Sequence, residues 1–392
     1  MRVGFVLFGL EIRGAEKRCA ALFKYLVKNN PKNYHLIINN ELYKMLNQGG
    51  YMLDTIPNVH LVRIKKTVNA DCKKNVISKS ILSPASLLLP IWIKTYIKTL
   101  WIYSQVKELQ KRLSLNILHG VWGGVYAITP YFFSEKAATV ISYTDVSFNL
   151  LERNFFHLLS SYHLGIKRAT QVDLLSNEIK DGLIQRGYNL TSERTNVTPC
   201  SFIDYNKYRP SNKKGNLVVF AGALRPFKNP SLFIESIPKV LKKIDDVYFY
   251  LLGRGPLETQ IESRIRELNL ENKIKTGFVS DTSEILSKSL IFASLQEGSN
   301  YPSQSLLEAM ACENAIIATD VGETWKLVNP SVGFRVPLNS DKIAEAIIFL
   351  LRNHEKAIEM GKNARRKVRK EHTIEKYTEY IQNVYKKAYN KL

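Results

Sequence analysis

Cysteine is scarce in this chain of 392 residues, which has only Cys19, Cys72, Cys200 and Cys312. No two of them form a CxxC pair, and their spacing matches neither a zinc site nor a disulfide framework. We therefore predict free thiols and a protein of a reducing compartment.

Long apolar runs are missing as well. No window of about 20 residues is continuously apolar, so the sequence predicts no membrane-spanning helix. The apolar run over residues 3–10 is too short for a signal peptide, and a helical pattern follows it directly. We expect a cytoplasmic protein.

Acidic residues are few relative to basic ones: 35 Asp and Glu stand against 56 Lys and Arg, a formal net charge of +21. Such a charge attracts phosphate, whether in nucleic acid, anionic lipid or a nucleotide. The sequence has no helix-turn-helix, zinc-finger or RNP signature, which disfavours nucleic acid as the partner. It also has no internal repeat of the length that solenoids require.

What is present is an alternation of buried strand patterns and amphipathic helix patterns. This order predicts an α/β protein with parallel sheets, and the chain length favours two domains. We expect an N-terminal Rossmann-like domain over 1–205, a polar linker over 206–215 and a C-terminal Rossmann-like domain over 216–372. A last amphipathic helix follows over 373–392.

The most informative segment, 297–312, follows a buried strand pattern. Pro302 or Ser303 begins a helix there, and Glu308 lies inside an otherwise apolar run. A buried carboxylate needs partners, and two ribose hydroxyls can donate to one bidentate carboxylate. The alternative is that Glu308 lies on the solvent side of its helix.

Glycine-containing loops follow several strands. The loop 221–230 carries Gly222, Arg225 and Lys228 between a strand and a helix, where a diphosphate could bind; the alternative is an ordinary basic loop. Gly253 and Gly255 belong to a tight turn that is not a dinucleotide fingerprint. Gly14 precedes the first helix and is a weak signal by itself.

Together these segments resemble family 4 of the retaining glycosyltransferases, the glycosyl transferases group 1. The resemblance is in good register over about 215–385 and looser over 1–205. Its most specific parts are Ser305-Leu306-Leu307-Glu308-Ala309-Met310-Ala311-Cys312 and Ala315-Ile316-Ile317-Ala318-Thr319-Asp320-Val321-Gly322. It implies the GT-B fold, in which two Rossmann-like, doubly wound parallel-sheet domains face each other across a cleft and the last helix crosses back to the first domain.

The resemblance also implies roles for individual residues. Glu308 would bind the donor ribose, Lys228 the donor diphosphate, and Gly14 would face the phosphates across the cleft. The backbone near Gly277 and Phe278 would lie by the nucleoside. The donor-binding residues that we predict are Gly14, Gly222, Gly253, Gly255, Gly277, Phe278, Ser303, Leu306 and Glu308.

The chain departs from the family at several positions. Ten residues separate Glu297 from Glu308, more than in the family's glutamate pair, and Asn300 occupies the usual position of the first glutamate. Either Asn300 contacts the sugar or Glu297 reaches it from a longer loop. Ala223 stands where the family has an arginine, so Arg225 would substitute.

Three further positions in the first half bear on the site. His119, at the end of a predicted strand, lies near the family's sugar-facing histidine, although a histidine at a strand end is more often structural. Thr144-Asp145 replaces the family's His-Asp pair, and Arg13-Gly14 its glycine pair. The catalytic candidates are therefore Lys228, Arg225, His119, Asn300 and Glu297.

The mechanism follows from the resemblance: the leaving diphosphate itself deprotonates the acceptor hydroxyl, and the protein positions the groups and stabilises charge. No DxD-type carboxylate pair lies beside a strand, so we predict no metal and no cofactor, only a UDP- or GDP-linked sugar as donor. The alternatives are a nucleotide-sugar epimerase of the same fold, a nucleic-acid-binding protein or a non-catalytic nucleotide-binding partner.

Residues 65–112 interrupt the α/β pattern. The segment combines apolar side chains, among them Trp92 and Trp101, with ten Lys or Arg residues against Asp71 and Glu108. This composition is typical of an interfacial helix on an anionic membrane, so we expect a peripheral protein at the inner face of the membrane. The acceptor would be a glycan or polyprenyl-linked glycan, as in bacterial surface polysaccharide or lipopolysaccharide synthesis. Alternatively, Trp92, Ile93, Ile97 and Leu100 pack on the first sheet.

Overall fold

A computed structural model describes residues 1–10, 12, 14–63, 91–144, 148, 151 and 161–392, and for 91–99 the backbone. Several predictions fall outside these residues. They concern Arg13 of the Arg13-Gly14 pair, Asp145, residues 65–90 of the proposed membrane-facing segment, and the side chains of Trp92, Ile93 and Ile97.

The first half of the chain forms one seven-stranded sheet in which every strand pair is parallel, with the spatial order β3-β2-β1-β4-β5-β6-β7. The strand order reverses between β1 and β4, which is where ligands collect in sheets of this kind. The strands are β1 (Val3–Phe8), β2 (Tyr34–Asn39), β3 (Val59–Val62), β4 (Ile117–Trp122), β5 (Ala138–Tyr143), β6 (Gln171–Leu174) and β7 (Thr195–Val197).

Helices cover both faces of this sheet because successive side chains of β1 point to opposite sides. Phe5 packs with α1, whereas Val6 belongs to the cluster that contains residues of α3 and α4. The described helices of this half are α1 (Gly14–Asn29), α2 (Asn40–Gln48), α3 (Ile91–Arg112), α4 (Gly124–Ile128), α5 (Ser161–Arg168) and α6 (Asn177–Gln185), with 3-10 turns over Leu53–Thr55 and Thr129–Phe133.

The second half forms a six-stranded parallel sheet with the order β10-β9-β8-β11-β12-β13. Its strands are β8 (Gly215–Ala221), β9 (Tyr248–Leu252), β10 (Ile274–Gly277), β11 (Ser289–Ser294), β12 (Ala315–Thr319) and β13 (Gly333–Val336). Its helices are α7 (Pro230–Leu241), α8 (Glu258–Glu267), α9 (Ser283–Lys288), α10 (Gln304–Ala311), α11 (Ser340–Arg352) and α12 (His354–Glu371), with 3-10 turns over Pro226–Lys228 and Gly322–Lys326. The predicted fold class, two Rossmann-like parallel-sheet units of GT-B type, is confirmed.

The last helix, α13 (Ile374–Tyr389), follows the second sheet in sequence but packs on the first. The Thr373 side chain caps its N-terminus by accepting from the Lys376 N–H. Tyr385 is buried against Phe5, and the Tyr380 hydroxyl donates to Asp173 of β6. The chain therefore passes between the halves twice, and the Ser201 N–H, donating to His372 Nδ1 at 3.0 Å, ties the two crossings together.

Candidate functional site

Two helix N-termini meet where the sheets face each other. A Cβ placed on Gly14, the first residue of α1, would lie 3.5 Å from Cβ of Gln304, the first residue of α10. Ser303 holds the N-cap position of α10, but its side chain makes no capping hydrogen bond. The first N–H groups of a helix lack intrahelical acceptors and carry partial positive charge, so this meeting point suits an anion.

Lys228 lies at the end of the turn that follows β8. Its ammonium donates to the Gln296 side chain, and the Glu297 N–H donates to the Phe227 carbonyl at 2.9 Å. These bonds fix the loop after β8 to the loop after β11. Burial lowers the pKa of Lys228 to about 8, which makes its charge sensitive to an incoming anion.

Arg225, three residues earlier, is partly buried. Within the described part of the chain its guanidinium has no hydrogen-bond or ion-pair partner, whereas its backbone carbonyl accepts from the Lys228 N–H at 3.0 Å. Arg225 is therefore a second cation on the same turn as Lys228, with its donors available to a ligand.

Gly222, Gly253 and Gly255 bring three loops together. A Cβ on Gly253 would overlap the Gly222 carbonyl oxygen, and one on Gly255 would collide with the Leu224 backbone. The Gly253 N–H donates to the Gly277 carbonyl at 2.9 Å, which ties in the end of β10. Next to it Phe278 is 54% exposed, and the Arg254 guanidinium lies 4.7 Å from its ring centre. An exposed ring held in this way is a platform on which a base could stack.

Glu308 is only 6% exposed, so the alternative that placed it on the solvent side of its helix is wrong. Burial raises the pKa of this carboxyl, while the charge of Lys17 on α1 and hydrogen bonds with Tyr208 and Gln304 act in the opposite direction. The carboxylate therefore lies between the halves. Lys17 and Tyr208 escaped the sequence analysis because both are remote from Glu308 in sequence.

The Asn300 side chain is not exposed to solvent. It is fully buried; its Oδ1 accepts from Ser294 at 2.6 Å, and its Nδ2 lies 3.2 Å from the hydroxyls of both Thr319 and Thr324. The hypothesis that its amide meets the sugar directly is therefore not supported, because the amide is used inside the loop. Glu297, the other alternative, is exposed beside the Lys228 turn.

His119 must also be corrected. It is the third residue of β4, not its last, and it is 2% exposed. Its Nδ1 lies 2.8 Å from the Tyr385 hydroxyl and its Nε2 lies 2.9 Å from Ser142 Oγ, so both ring nitrogens have internal partners. Burial lowers the pKa of His119 to about 4. It ties α13 to the first sheet, and both of its ring nitrogens are used in these internal contacts.

Ser303 and Leu306 stand at the start of α10. Leu306 has no exposed side chain, so only its backbone N–H could meet a ligand. In the part of the chain that the structure describes, no cluster of three His, Cys, Asp or Glu residues could hold a metal ion. Among the same residues, no helix has the length and apolarity needed to cross a membrane.

Comparison with known proteins identifies the fold's relatives. Residues 203–367 match the family Glycosyl transferases group 1. N-acetyl-alpha-D-glucosaminyl L-malate synthase of Bacillus anthracis is 23% identical over 302 residues, which span 72% of this chain and 77% of that protein. Poly(ribitol-phosphate) alpha-N-acetylglucosaminyltransferase of Staphylococcus aureus is 30% identical over 159 residues, 39% of this chain and 31% of that protein.

Solved structures give the same fold over nearly the whole chain. HepE of Anabaena in complex with UDP and glucose superposes with a TM-score of 0.75 at 17% identity, covering 98% of this chain and 99% of that one. A point mutant of S. aureus TarM, in complex with Fondaparinux, alpha-GlcNAc-glycerol and UDP, superposes with a TM-score of 0.71 at 15% identity. The match covers 98% of this chain and 99% of that one. Over residues 203–367 the chain therefore matches the Glycosyl transferases group 1 family, and over nearly its whole length it has the GT-B fold of HepE and TarM.

Proposed function

We propose that this chain is a hexosyltransferase that moves a hexose or N-acetylhexosamine from a UDP-sugar to a glycan or polyprenyl-linked glycan, in bacterial surface polysaccharide synthesis. UDP is favoured over GDP because HepE and TarM, which share the fold, are complexed with UDP. The acceptor class rests on relatives such as a Campylobacter jejuni transferase that acts on a diphospho-undecaprenol-linked sugar.

One observation carries the proposal: the N-termini of α1 and α10 meet at Gly14 and Gln304, and Gln304 hydrogen-bonds with the buried Glu308. The diphosphate would lie at the helix N-termini, because both helix dipoles and Lys228 favour negative charge there. The ribose would bind Glu308, and the base would lie by Phe278, Gly253 and Gly255. The donor would lie against the N–H groups at Ser303 and Leu306 and against the open space at Gly222.

The chemistry follows from this placement. The bond between the anomeric carbon and the diphosphate oxygen breaks, and the acceptor oxygen bonds to that carbon on the same face. The acceptor proton passes to the departing diphosphate oxygen. Lys228 and Arg225 would stabilise the growing negative charge and so replace a divalent metal. Glu297, exposed beside Lys228, is the residue that we assign to the sugar hydroxyls, whereas Asn300 and His119 hold the structure around the site.

We place the acceptor side at the inner face of the membrane, through residues 65–112. Within this segment the structure describes side chains from residue 100 onward. Ile102, Val106 and Leu109 pack on the first sheet, whereas Leu100 is 43% exposed and Lys111 and Arg112 point to solvent. The exposure of Leu100 argues against the alternative in which this residue packs on the sheet.

A donor and acceptor screen tests the proposal. The protein is incubated with UDP-, GDP-, ADP- and CMP-linked sugars and with polyprenyl-diphosphate-linked glycans, and products are separated by mass. We expect stabilisation by UDP-sugars alone and a glycan product lengthened by one sugar with retained anomeric configuration. A free epimerised nucleotide sugar without transfer, or stabilisation by GDP-sugars alone, would overturn the assignment.

A further inference from the structure

A second basic site lies at the opposite end of α10 from the donor site. A groove of about 480 Å³ is lined there by Glu313, Lys362, Arg365, Arg366 and Arg369. The four cations occur at positions i, i+3, i+4 and i+7 of α12, so they share one face of the helix. Because α10 has eight residues and rises 1.5 Å per residue, about 12 Å of helix separates this groove from the donor end.

The floor of the groove is already occupied by internal contacts. Arg365 donates to the carbonyls of Tyr208 and Ala311, and Lys214 donates to that of Cys312. These two cations satisfy the carbonyls at the C-terminal end of α10, where a helix carries partial negative charge. Arg365 therefore has a structural task, which its 14% side-chain exposure reflects.

The other three cations have no acidic partner among the described residues. Lys362, Arg366 and Arg369 are exposed, and the hydrogen bond that Arg366 makes is to the neutral side chain of Asn363. Glu313 lies 3.9 Å from Arg365 and neutralises only part of the positive charge of the groove. Some other cations of this half do pair with carboxylates: Lys239 with Asp341, Arg264 with Glu235, Lys288 with Glu284, Arg335 with Asp320 and Lys342 with Glu345.

The cations also repel one another. Burial, together with the neighbouring charge of Arg369, lowers the pKa of Arg365. An anion with two or more negative groups would relieve this repulsion and accept the donors that have no partner. Guanidinium groups bind phosphate oxygens bidentately and an ammonium adds a compact charge, so phosphate is the group that these three side chains recognise best.

The geometry points to a second ligand site on α12, in which Lys362, Arg366 and Arg369 bind a multivalent phosphate-bearing anion. The site is separate from the donor cleft and does not depend on the proposed sugar or acceptor. Two sources supply this chemistry, a soluble polyphosphorylated molecule and the headgroups of anionic lipid.

The test uses the full chain saturated with UDP, so that the donor site is closed to the probe. Tripolyphosphate is titrated by calorimetry into wild type and into the triple variant Lys362→Gln/Arg366→Gln/Arg369→Gln, which keeps Arg365 and its helix contacts. The control variant Lys242→Gln/Lys243→Gln/Lys386→Gln loses the same charge at exposed positions elsewhere. A second arm replaces tripolyphosphate with phosphatidylglycerol vesicles.

We expect the triple variant to weaken binding at least tenfold, since hydrogen bonds to charged groups are the strong ones. The control variant should bind within about twofold of wild type, as screening predicts for distant exposed charges. Glu313→Gln should tighten binding because it removes the one negative charge in the groove. Loss in the tripolyphosphate arm identifies a soluble ligand, and loss in the vesicle arm alone identifies a lipid headgroup. Equal binding by the triple and control variants in both arms, or no binding by wild type in either, overturns the site.

Discussion

Asn177 and Glu323 join the two halves of the chain. The backbone N–H of Asn177, the first residue of α6, donates to Glu323 Oε2 at 3.0 Å, and its side-chain amide donates to Glu323 Oε1 at 3.1 Å. Lys326 pairs with the same carboxylate. Next to this contact the Glu178 carboxylate lies against Gly322 and hydrogen-bonds with Ser299. The loop that leads to α10 is thus linked to α6 of the first half.

Replacement of the Asn177 side chain should weaken the contact between the two halves of the chain. For Asn177→Ala we expect donor KM to rise by roughly fivefold, which corresponds to about 1 kcal/mol, the typical net value of one such hydrogen bond. The cost is modest because Asn177 is exposed and its backbone bond remains. Steady-state kinetics measures the change. Gln185→Ala, an exposed change on the same helix, is the control and should behave as wild type; if it matches Asn177→Ala, the contact has no role in donor binding.

Sequence and structure agree where the pattern is local. Buried runs and their flanking glycines located β8, β11 and β12, and the apolar run around Glu308 indicated a helix with a buried carboxylate. The four-residue strand β13 leaves no such signal, because Arg335 and Gly333 interrupt any apolar run. Tyr208 is about 100 residues from Glu308 in sequence, and the contacts of Lys17 and Asn177 depend on how the two halves meet, so no local pattern indicates them.

His119 shows why a local interpretation can fail. Gly120 directly follows His119 and, with Gly123 and Gly124, has the sequence signature of a turn that opens a helix, which would place His119 at a strand end. In the structure β4 continues to Trp122, and a Cβ on Gly120 would lie 3.0 Å from Cα of Val125. The glycine is there because α4 packs close against the strand, and a close approach leaves the same sequence signal as a turn.

Glu308→Gln should weaken donor binding by about 2 kcal/mol, because hydrogen bonds to a charged group contribute about 1.5–3. Its fold should persist: burial raises the pKa of Glu308, so the charged form is disfavoured in the folded state, and a neutral amide removes that cost at neutral pH. Calorimetric titration with UDP and a thermal melt measure the two effects. Wild-type affinity for UDP in this variant would remove Glu308 from the donor site, while Glu313→Gln is expected to leave UDP binding unchanged.

Lys228 should make donor binding pH-dependent. The pKa of Lys228 is lowered to about 8 in the free protein, so the ammonium that attracts the diphosphate is lost as pH rises through 8. Affinity should be flat below that pH and fall by about tenfold per unit above it, until the higher pKa of the complex is reached. Donor affinity measured from about pH 6 to 10 shows the profile on both sides of this pKa. Lys228→Arg should bind without this dependence, since arginine stays charged; the same fall in that variant would assign the titration to another group.

Activity should persist in excess chelator. Lys228, Arg225 and the N-termini of α1 and α10 supply positive charge around the diphosphate, so we expect kcat to stay within about twofold, since charge stabilisation does not require a metal here. The measurement compares turnover in EDTA with turnover in added magnesium or manganese. Complete loss in EDTA, restored by either ion, would contradict a metal-free reaction.

The segment 65–112 should bind anionic membranes reversibly. Each lysine near an anionic surface adds about 1 kcal/mol, so the cluster of Lys73, Lys74, Lys79 and Lys94 suffices together with exposed apolar residues such as Leu100. In liposome sedimentation we expect binding to grow with the fraction of phosphatidylglycerol and to fall with salt, because surface charges are screened. Changing these four lysines to Gln should move the protein to the supernatant.

The matched control changes Lys242, Lys243, Lys386 and Lys391 to Gln, which removes the same charge from exposed positions elsewhere. Equal recovery of wild type with neutral and anionic vesicles at low salt, or equal loss in both variants, would show that this segment is not the membrane contact.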